Sequence, residues 1–378
     1  MGGGLVINGG SLEDYLHIVR SGPAQYFHRR AVLKDAGRLV ARFGRRALVS
    51  GGRRALQAVE ADLFPSLREA GVEHSRNVFV GESSESNVAR LLEVAEARRP
   101  DFLIGVGGGK ALDTAKIAAD HLRLPIVTIP TIAATCAAST PLAIFYSDDG
   151  VYQRDYYPVA NPQMVLVDPD VLVKAPIEHL KSGILDSLAK WYKGGASFAG
   201  ADDADLYDTV AIELAEHLNS RMMEKAGPAI RAAEQGRISD EFTDVVNMNI
   251  YLAGTIQAFG VKAVRNGIAH AVHNGLTVLK ESHGLRHGIK VGYGIAVQLS
   301  ILERRGERLP QLFGFYRDIG FVPAFRNLGL TFSGENVAAA ARKTIADPLM
   351  KRKPFDVIRL EAVADAMDYL ESRSKGTE

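Results

Sequence analysis

Four short apolar runs, ALVS at 47–50, VFV at 78–80, FLIGV at 102–106 and IVTI at 126–129, recur through the first half of the chain at roughly the spacing of one βα unit. Amphipathic helical patterns such as NVARLLEVAEARR lie between them. Connections of that length suit helical crossovers and are too long for hairpins, so successive strands are expected to run parallel. This predicts an α/β, doubly wound, largely parallel sheet, with a ligand site at the carboxyl ends of its strands. After about residue 173 the pattern changes to long Ala- and Leu-rich helical stretches, among them DADLYDTVAIELAEHLNSRMMEKA and ENVAAAARKTIA. A chain of 378 residues exceeds what one core usually supports. The boundary is placed just after MVLVDPDVLVKAP, giving an α/β domain over 1–173 and an all-helical domain over 174–378.

The strand FLIGV runs directly into GGGKALDTAK. Gly107, Gly108 and Gly109 permit a tight turn and let backbone N–H groups approach a pyrophosphate, while the following helix aims its positive end at the same anion. A plain βα turn also uses such glycines. The stretch is neither a GxxxxGK[ST] loop nor a GxGxxG fingerprint on the first strand, so a nucleotide fold other than those two is implied.

Charge excludes little by attraction and much by its absence. With 45 basic and 44 acidic residues there is no net field to favour nucleic acid or an anionic membrane. The single cysteine, Cys136, excludes an internal disulfide framework and suits a reducing cytoplasm. No run of 18 apolar residues exists. MGGGLVINGG lacks the regions of a signal peptide, so a soluble, cytoplasmic protein acting on a small molecule is expected.

Four of the ten histidines fall within GIAHAVHNGLTVLKESHGLRHG, residues 267–288. His270 and His273 are three apart and share a helix face, a spacing that serves metal ligands and ordinary packed side chains equally well.

The combination of GVGGGKALDTAK, IPTIAATCAASTPLAIFY, GILDSLAKWY, AHAVHNGLT and RHGIKVGYGI resembles the metal-dependent polyol dehydrogenases of the iron-containing alcohol dehydrogenase superfamily, in the glycerol dehydrogenase branch. Within that branch, TIAATCAA, LAKWY and HNGLTVL are most similar to hydroxycarboxylate dehydrogenases. The resemblance implies a dehydroquinate synthase-like fold, a homo-oligomer, and hydride transfer between a nicotinamide cofactor and a small alcohol or carbonyl. It also implies a zinc site, or one for another divalent metal, formed by Asp186, His270 and His287, three ligands that leave a position open for substrate oxygen. His273 then falls one turn along, as a supporting or proton-carrying group. Gly107, Gly108, Gly109, Lys110 and Asp113 map to the phosphate loop. Thr131, Thr140, Leu142 and Tyr146 map to positions flanking the cofactor.

Three departures from relatives bear on metal and substrate. Iron-type members carry a histidine where this sequence has Lys190, and a protonated lysine is a poor ligand, which favours zinc. Cys136 stands in place of an aspartate that contacts a substrate hydroxyl in glycerol dehydrogenases. Arg265 replaces a small residue. Loss of a carboxylate and gain of cations point to an anionic substrate, with Lys190, and less directly Arg265, receiving the carboxylate of a 2-oxo or 2-hydroxy acid. The first strand runs into Gly51, Gly52, Arg53 and Arg54, with no acidic residue to bind ribose hydroxyls and two guanidinium groups to meet a 2′-phosphate, so NADP(H) is favoured over NAD(H). A glycerol or other polyol dehydrogenase is the alternative. A dehydroquinate synthase-like cyclase or a non-catalytic descendant is a further one.

Overall fold

A computed structural model of the chain describes residues 19–198, 205–260, 267–351 and 355–374. It divides into two compact units, one running through Thr131 and resuming over Cys136–Leu172, the other comprising Ile132–Thr135 and the described residues from Val173 onward.

The first unit is built on a six-stranded sheet of β1 (Tyr26–His28), β2 (Arg46–Gly52), β3 (Glu73–Phe79), β4 (Phe102–Gly107), β5 (Ile126–Pro130) and β8 (Met164–Val167). Their order is β1-β8-β5-β4-β2-β3 and every pairing is parallel. Alternate residues of the central strands feed two cores. Ala47, Val49, Phe102, Ile104 and Val106 pack on the face covered by α2 (Arg53–Glu69), after the short helix α1 (Ala36–Val40). Leu48 and Leu103 pack on the opposite face against α3 (Glu85–Arg98) and α4 (Gly109–Leu122). This period of two, doubled because both faces are covered, explains why those runs read as continuously apolar. The strand expected at VFV lies earlier, over Glu73–Phe79, because β3 is an edge strand whose first five residues, EHSRN, are polar and give no apolar run; Val80 is 70% exposed just beyond it.

An antiparallel pair, β6 (Ala143–Tyr146) and β7 (Tyr152–Tyr156), interrupts the βα series. Its turn closes through Ser147 and Gly150, the latter at φ +82°, where a side chain would be strained. Ala143, Phe145 and Tyr156 dock the pair onto Val88 of α3 and Ile117 of α4.

The second unit is helical, with α5 (Pro169–Leu172) ending the first unit before it. Its main elements are α6 (Ile177–Phe198), α7 (Leu206–Glu234), α8 (Asp240–Asn247), a π-helical turn over Met248–Leu252, α9 (Ala253–Phe259), α10 (Ile268–Leu276), α11 (His287–Leu302), α12 (Arg308–Asp318), α13 (Gly334–Ala346) and α14 (Leu360–Ser374). Helix α11 is buried almost throughout and packs on both α6 and α10. Two glycines allow that closeness. A Cβ on Gly288 would lie 1.8 Å from the Ser182 carbonyl oxygen of α6, and one on Gly294 would lie 2.2 Å from the Ala269 carbonyl oxygen of α10. Gln298 ties the three helices together, donating to the Tyr192 carbonyl (2.6 Å) and accepting from the Ala269 N–H (3.1 Å).

Candidate functional site

In the first unit the chain turns away in opposite directions from β2 and β4, and the two strands are neighbours, so their carboxyl ends form the switch point of the sheet. Gly51 pairs in register with Val106, and a Cβ on Gly51 would lie 2.4 Å from the Val106 carbonyl oxygen. Gly107 has φ +142°, so a side chain there would be strained. The glycine turns after both strands are thus side by side. Gly52 and Arg53 mark the passage from β2 to α2, where Arg53 and Arg54 are exposed. Gly108 caps α4, Gly109 opens it, and Lys110 follows, exposed and ion-paired with Glu82.

The residues mapped around the cofactor fall into a strap beside this turn. The Thr131 N–H donates to the Gly107 carbonyl (3.1 Å), tying the end of β5 to the glycine loop. Lys116, buried in α4, donates to the carbonyls of Ala137 (2.8 Å), Thr140 (3.2 Å) and Leu142. Asp113 is buried as well, with Oδ1 2.9 Å from the Lys116 ammonium and Oδ2 accepting from the Ile144 N–H (3.1 Å). Its carboxylate therefore holds the strap and the start of β6 onto α4, a structural engagement that the motif alone does not reveal. Lys116 was legible as the last residue of GGGKALDTAK, three positions after Asp113 and so on its helix face. The Tyr146 N–H donates to the Ser83 carbonyl (2.9 Å), and burial, then the Asp113 charge, push its phenol above its ordinary pKa. Cys136 is buried in the same unit and forms no disulfide, its carbonyl accepting from the Ser139 N–H (3.0 Å).

In the second unit, α6, α10 and the first residue of α11 bring Asp186, His270 and His287 together, each offering one ligand atom, all within 4.8 Å of one another. The convergence follows from the glycine contacts: Gly288 adjoins His287, and Ala269 adjoins His270. His287 Nε2 lies 3.2 Å from Asp186 Oδ1. Burial works to raise the Asp186 carboxyl, but the contact with His287 and the charges of His287, Lys190 and Lys193 overcome it and hold the group far below the carboxylate range. Burial, and then neighbouring cationic groups, keep His270 and His273 well below the ordinary histidine value. An ionised Asp186 carboxylate and a neutral His270 imidazole are the states in which those two ligands bind a divalent metal. His270 Nδ1 is buried without a hydrogen-bond partner among the described residues, so the ring has coordinating capacity to spare. The donor set fits a metal ion.

Support for the ligands comes from a chain of polar contacts. His287 Nδ1 is 3.1 Å from His273 Nε2, His273 Nδ1 is 2.9 Å from Asn274 Oδ1, and Asn274 Nδ2 donates to Asp347 Oδ2 (2.7 Å). His283 is not in this chain; its Nε2 lies 3.0 Å from the Thr277 carbonyl. On the other side, Asn249 of the π turn lies 2.9 Å from the Ser187 hydroxyl, beside Asp186, and donates to the Ala133 carbonyl (3.0 Å). Lys190 is buried and donates to Gln257 Oε1 (2.7 Å). Arg265 lies outside the described residues. Sequence reading passed over Lys193, which is buried with Nζ 3.5 Å from His270 Nε2. Its position, seven residues after Asp186 and three after Lys190, places all of them on one helix face.

No described helix is long and apolar enough to cross a membrane. Residues 23–169 match the family model for iron-containing alcohol dehydrogenases. The chain is 35% identical to hydroxycarboxylate dehydrogenase A of Escherichia coli K12, with 88% of this chain and 89% of that protein aligned. It is 33% identical to glycolaldehyde reductase of Halobacterium salinarum, over 89% of this chain and 92% of the relative. Among solved structures, a probable glycerol dehydrogenase from Sinorhizobium meliloti superposes with a TM-score of 0.81 at 29% identity, covering 94% of this chain and 98% of that one. The chain belongs to the iron-containing alcohol dehydrogenase family, in its glycerol dehydrogenase-like branch, and is an NAD(P)-dependent dehydrogenase of alcohols or hydroxycarboxylates.

Proposed function

We propose that the protein interconverts a small 2-oxo acid and the corresponding 2-hydroxy acid, using NADP(H) and zinc. The observation that carries the reading is the buried Lys190, one turn from Asp186 on the same face of α6. Asp186, His270 and His287 would hold the metal, which supplies Lewis-acid polarisation of the carbonyl. The nicotinamide supplies or accepts the hydride. The protein's own work is positional. The glycine turns after β2 and β4 and the strap held by Lys116 offer a place for the dinucleotide, and Arg53 and Arg54 offer guanidinium groups for a 2′-phosphate. Lys190 supplies positive charge for the substrate carboxylate, and His273 orients His287. Domains divided at residue 173, with the dinucleotide on the first and the metal on the second, accord with this division of labour.

Steady-state assay of the zinc-loaded enzyme with NADPH and NADH tests the reading. Lys190→Ala is expected to raise KM for 2-oxo acids far more than for neutral ketones, and an equal effect on both would refute the role of Lys190. Preference for dihydroxyacetone with NADH would favour a polyol dehydrogenase, the reading supported by the glycerol dehydrogenase relatives.

A further inference from the structure

We propose that Asn249 is a positioning residue for the metal ligand Asp186, aimed at its helix by the π-helical turn over Met248–Leu252, a role that rests on the metal set described above. Helix α8, that turn and α9 follow one another without a gap from Asp240 to Phe259, and the Ala253 N–H reaches back five residues to the Met248 carbonyl. The turn therefore takes in one residue more than an α-helical turn does. That residue changes what the helix presents. Asn249 and Gln257 are eight positions apart, which in a straight α-helix points their side chains about 80° away from each other. With one residue absorbed by the π turn the difference falls to about 20°. Both side chains then reach α6, where the Ser187 hydroxyl donates to Asn249 (2.9 Å) and the Lys190 ammonium to Gln257 (2.7 Å).

Asn249 grips the one turn of α6 that carries Asp186. Gly183 and Ser187 bracket that turn, four positions apart and so on one helix face. At Ser187 the Asn249 Oδ1 accepts the hydroxyl hydrogen. At Gly183 a Cβ would lie 2.0 Å from the Ala133 carbonyl oxygen and 2.5 Å from Asn249 Nδ2, so only the notch of a glycine lets that carbonyl and the amide that donates to it (3.0 Å) rest on the α6 backbone. Ala133 belongs to Ile132–Thr135, a segment that packs with the helical unit, and it braces α6 from outside the helix pair. Asn249 and Ser187 are both buried, so water cannot take over these bonds, and removing the amide would strand a hydroxyl and a carbonyl. A carboxylate keeps its place in a ligand set only if the helix bearing it does not rotate about its axis. The contacts at Gly183 and Ser187 oppose that rotation on the side of the ligands away from the His273 chain.

The test compares wild type with Asn249→Leu, Ser187→Ala and Tyr251→Ala, each as the full chain. Zinc affinity is measured by competition against a chromogenic chelator, ligand geometry by the d–d absorption of the Co2+-loaded protein, and folding by urea unfolding. Tyr251 lies in the same π turn and is 38% exposed, so its variant reports what disturbing the turn does without touching the amide. Asn249→Leu is expected to weaken zinc binding about ten- to hundredfold and to alter the cobalt spectrum. Ser187→Ala should move both readings in the same direction by less, and Tyr251→Ala should move neither, whatever it does to the urea midpoint. The Asn249→Leu and Ser187→Ala losses should combine to less than their sum, because they break one contact. Should Asn249→Leu fail to fold, Ser187→Ala, which removes a single hydroxyl, carries the test alone. Unchanged zinc affinity and cobalt spectrum in the folded variants, or an equal loss in Tyr251→Ala, would overturn the assignment to Asn249 while leaving the metal set intact. A wild-type protein that takes up neither ion would overturn the metal set on which the assignment rests.

Discussion

His287 Nδ1 faces His273 Nε2 at 3.1 Å, and the direction of that hydrogen bond is fixed from its far end. Asp347 can only accept, so Asn274 donates to it through Nδ2 and turns Oδ1 toward His273. His273 Nδ1 then donates to Asn274, which leaves His273 Nε2 as the acceptor for His287 Nδ1–H. When His287 is neutral, as a metal ligand must be, this leaves the lone pair of Nε2 on the side of Asp186. His273→Phe, which cannot accept, is expected to weaken metal binding by about ten- to hundredfold. Competition against a chromogenic chelator measures this, and unchanged affinity would show that the chain does not orient the ligand.

The second prediction concerns how α10 and α11 approach. Gly294→Ala would set a methyl group 2.2 Å from the Ala269 carbonyl, a backbone atom that cannot turn aside. The helices must separate, at a cost of about 1–3 kcal/mol in stability. His270 follows Ala269, so metal affinity should fall in the same variant. Gly284→Ala is the comparison, since a Cβ there meets nothing within 4 Å. Urea unfolding of both variants decides the matter; similar midpoints would contradict the packing account.

The third prediction takes the Asp113–Lys116 pair. Lys116→Met removes the cation from a buried carboxylate and the donor from several strap carbonyls, so a loss of about 3–5 kcal/mol is expected. Asp113→Asn combined with Lys116→Met leaves no buried charge. The double variant should be less damaged than the two single losses added together, and strict additivity in urea unfolding would argue against coupling.

Much of this architecture is legible in the sequence. The strands ending in Gly51 and Gly107 announced themselves by apolar runs, because both faces of the sheet are covered and each central residue is buried. The β6–β7 pair escaped notice because Tyr152, Gln153, Arg154 and Asp155 carry no apolar run. The ligand triad was reached by resemblance, since Asp186 and His287 are far apart in sequence and only the close packing at Gly288 and Gly294 joins them. Lys193 was readable from helical spacing after Asp186. Its nearness to His270 was not, because it depends on the notch at Gly267, a tertiary contact. Asp347 was similarly invisible, its link to Asn274 spanning 73 positions.

The last prediction concerns acid stability in the first unit. His74 on β3 stacks on Phe64, with ring centroids 5.0 Å apart, and Arg76 lies 3.6 Å from the centroid of the same ring. Burial, and then the Arg76 charge, lower the His74 pKa below its ordinary 6.5. The unfolded chain therefore binds a proton more readily than the folded one between the two values, and stability rises with pH across that window. The contribution is complete above the unfolded value and is lost as pH falls through the folded one. His74→Gln keeps a polar side chain without the titration, so its unfolding free energy should decline less than that of wild type between pH 8 and about pH 5. His179, His270 and His273 are depressed in the same direction and remain in both proteins, which makes the difference between the two curves the quantity to read. Superimposable curves would mean that the Phe64–Arg76 environment does not disfavour the charged imidazole.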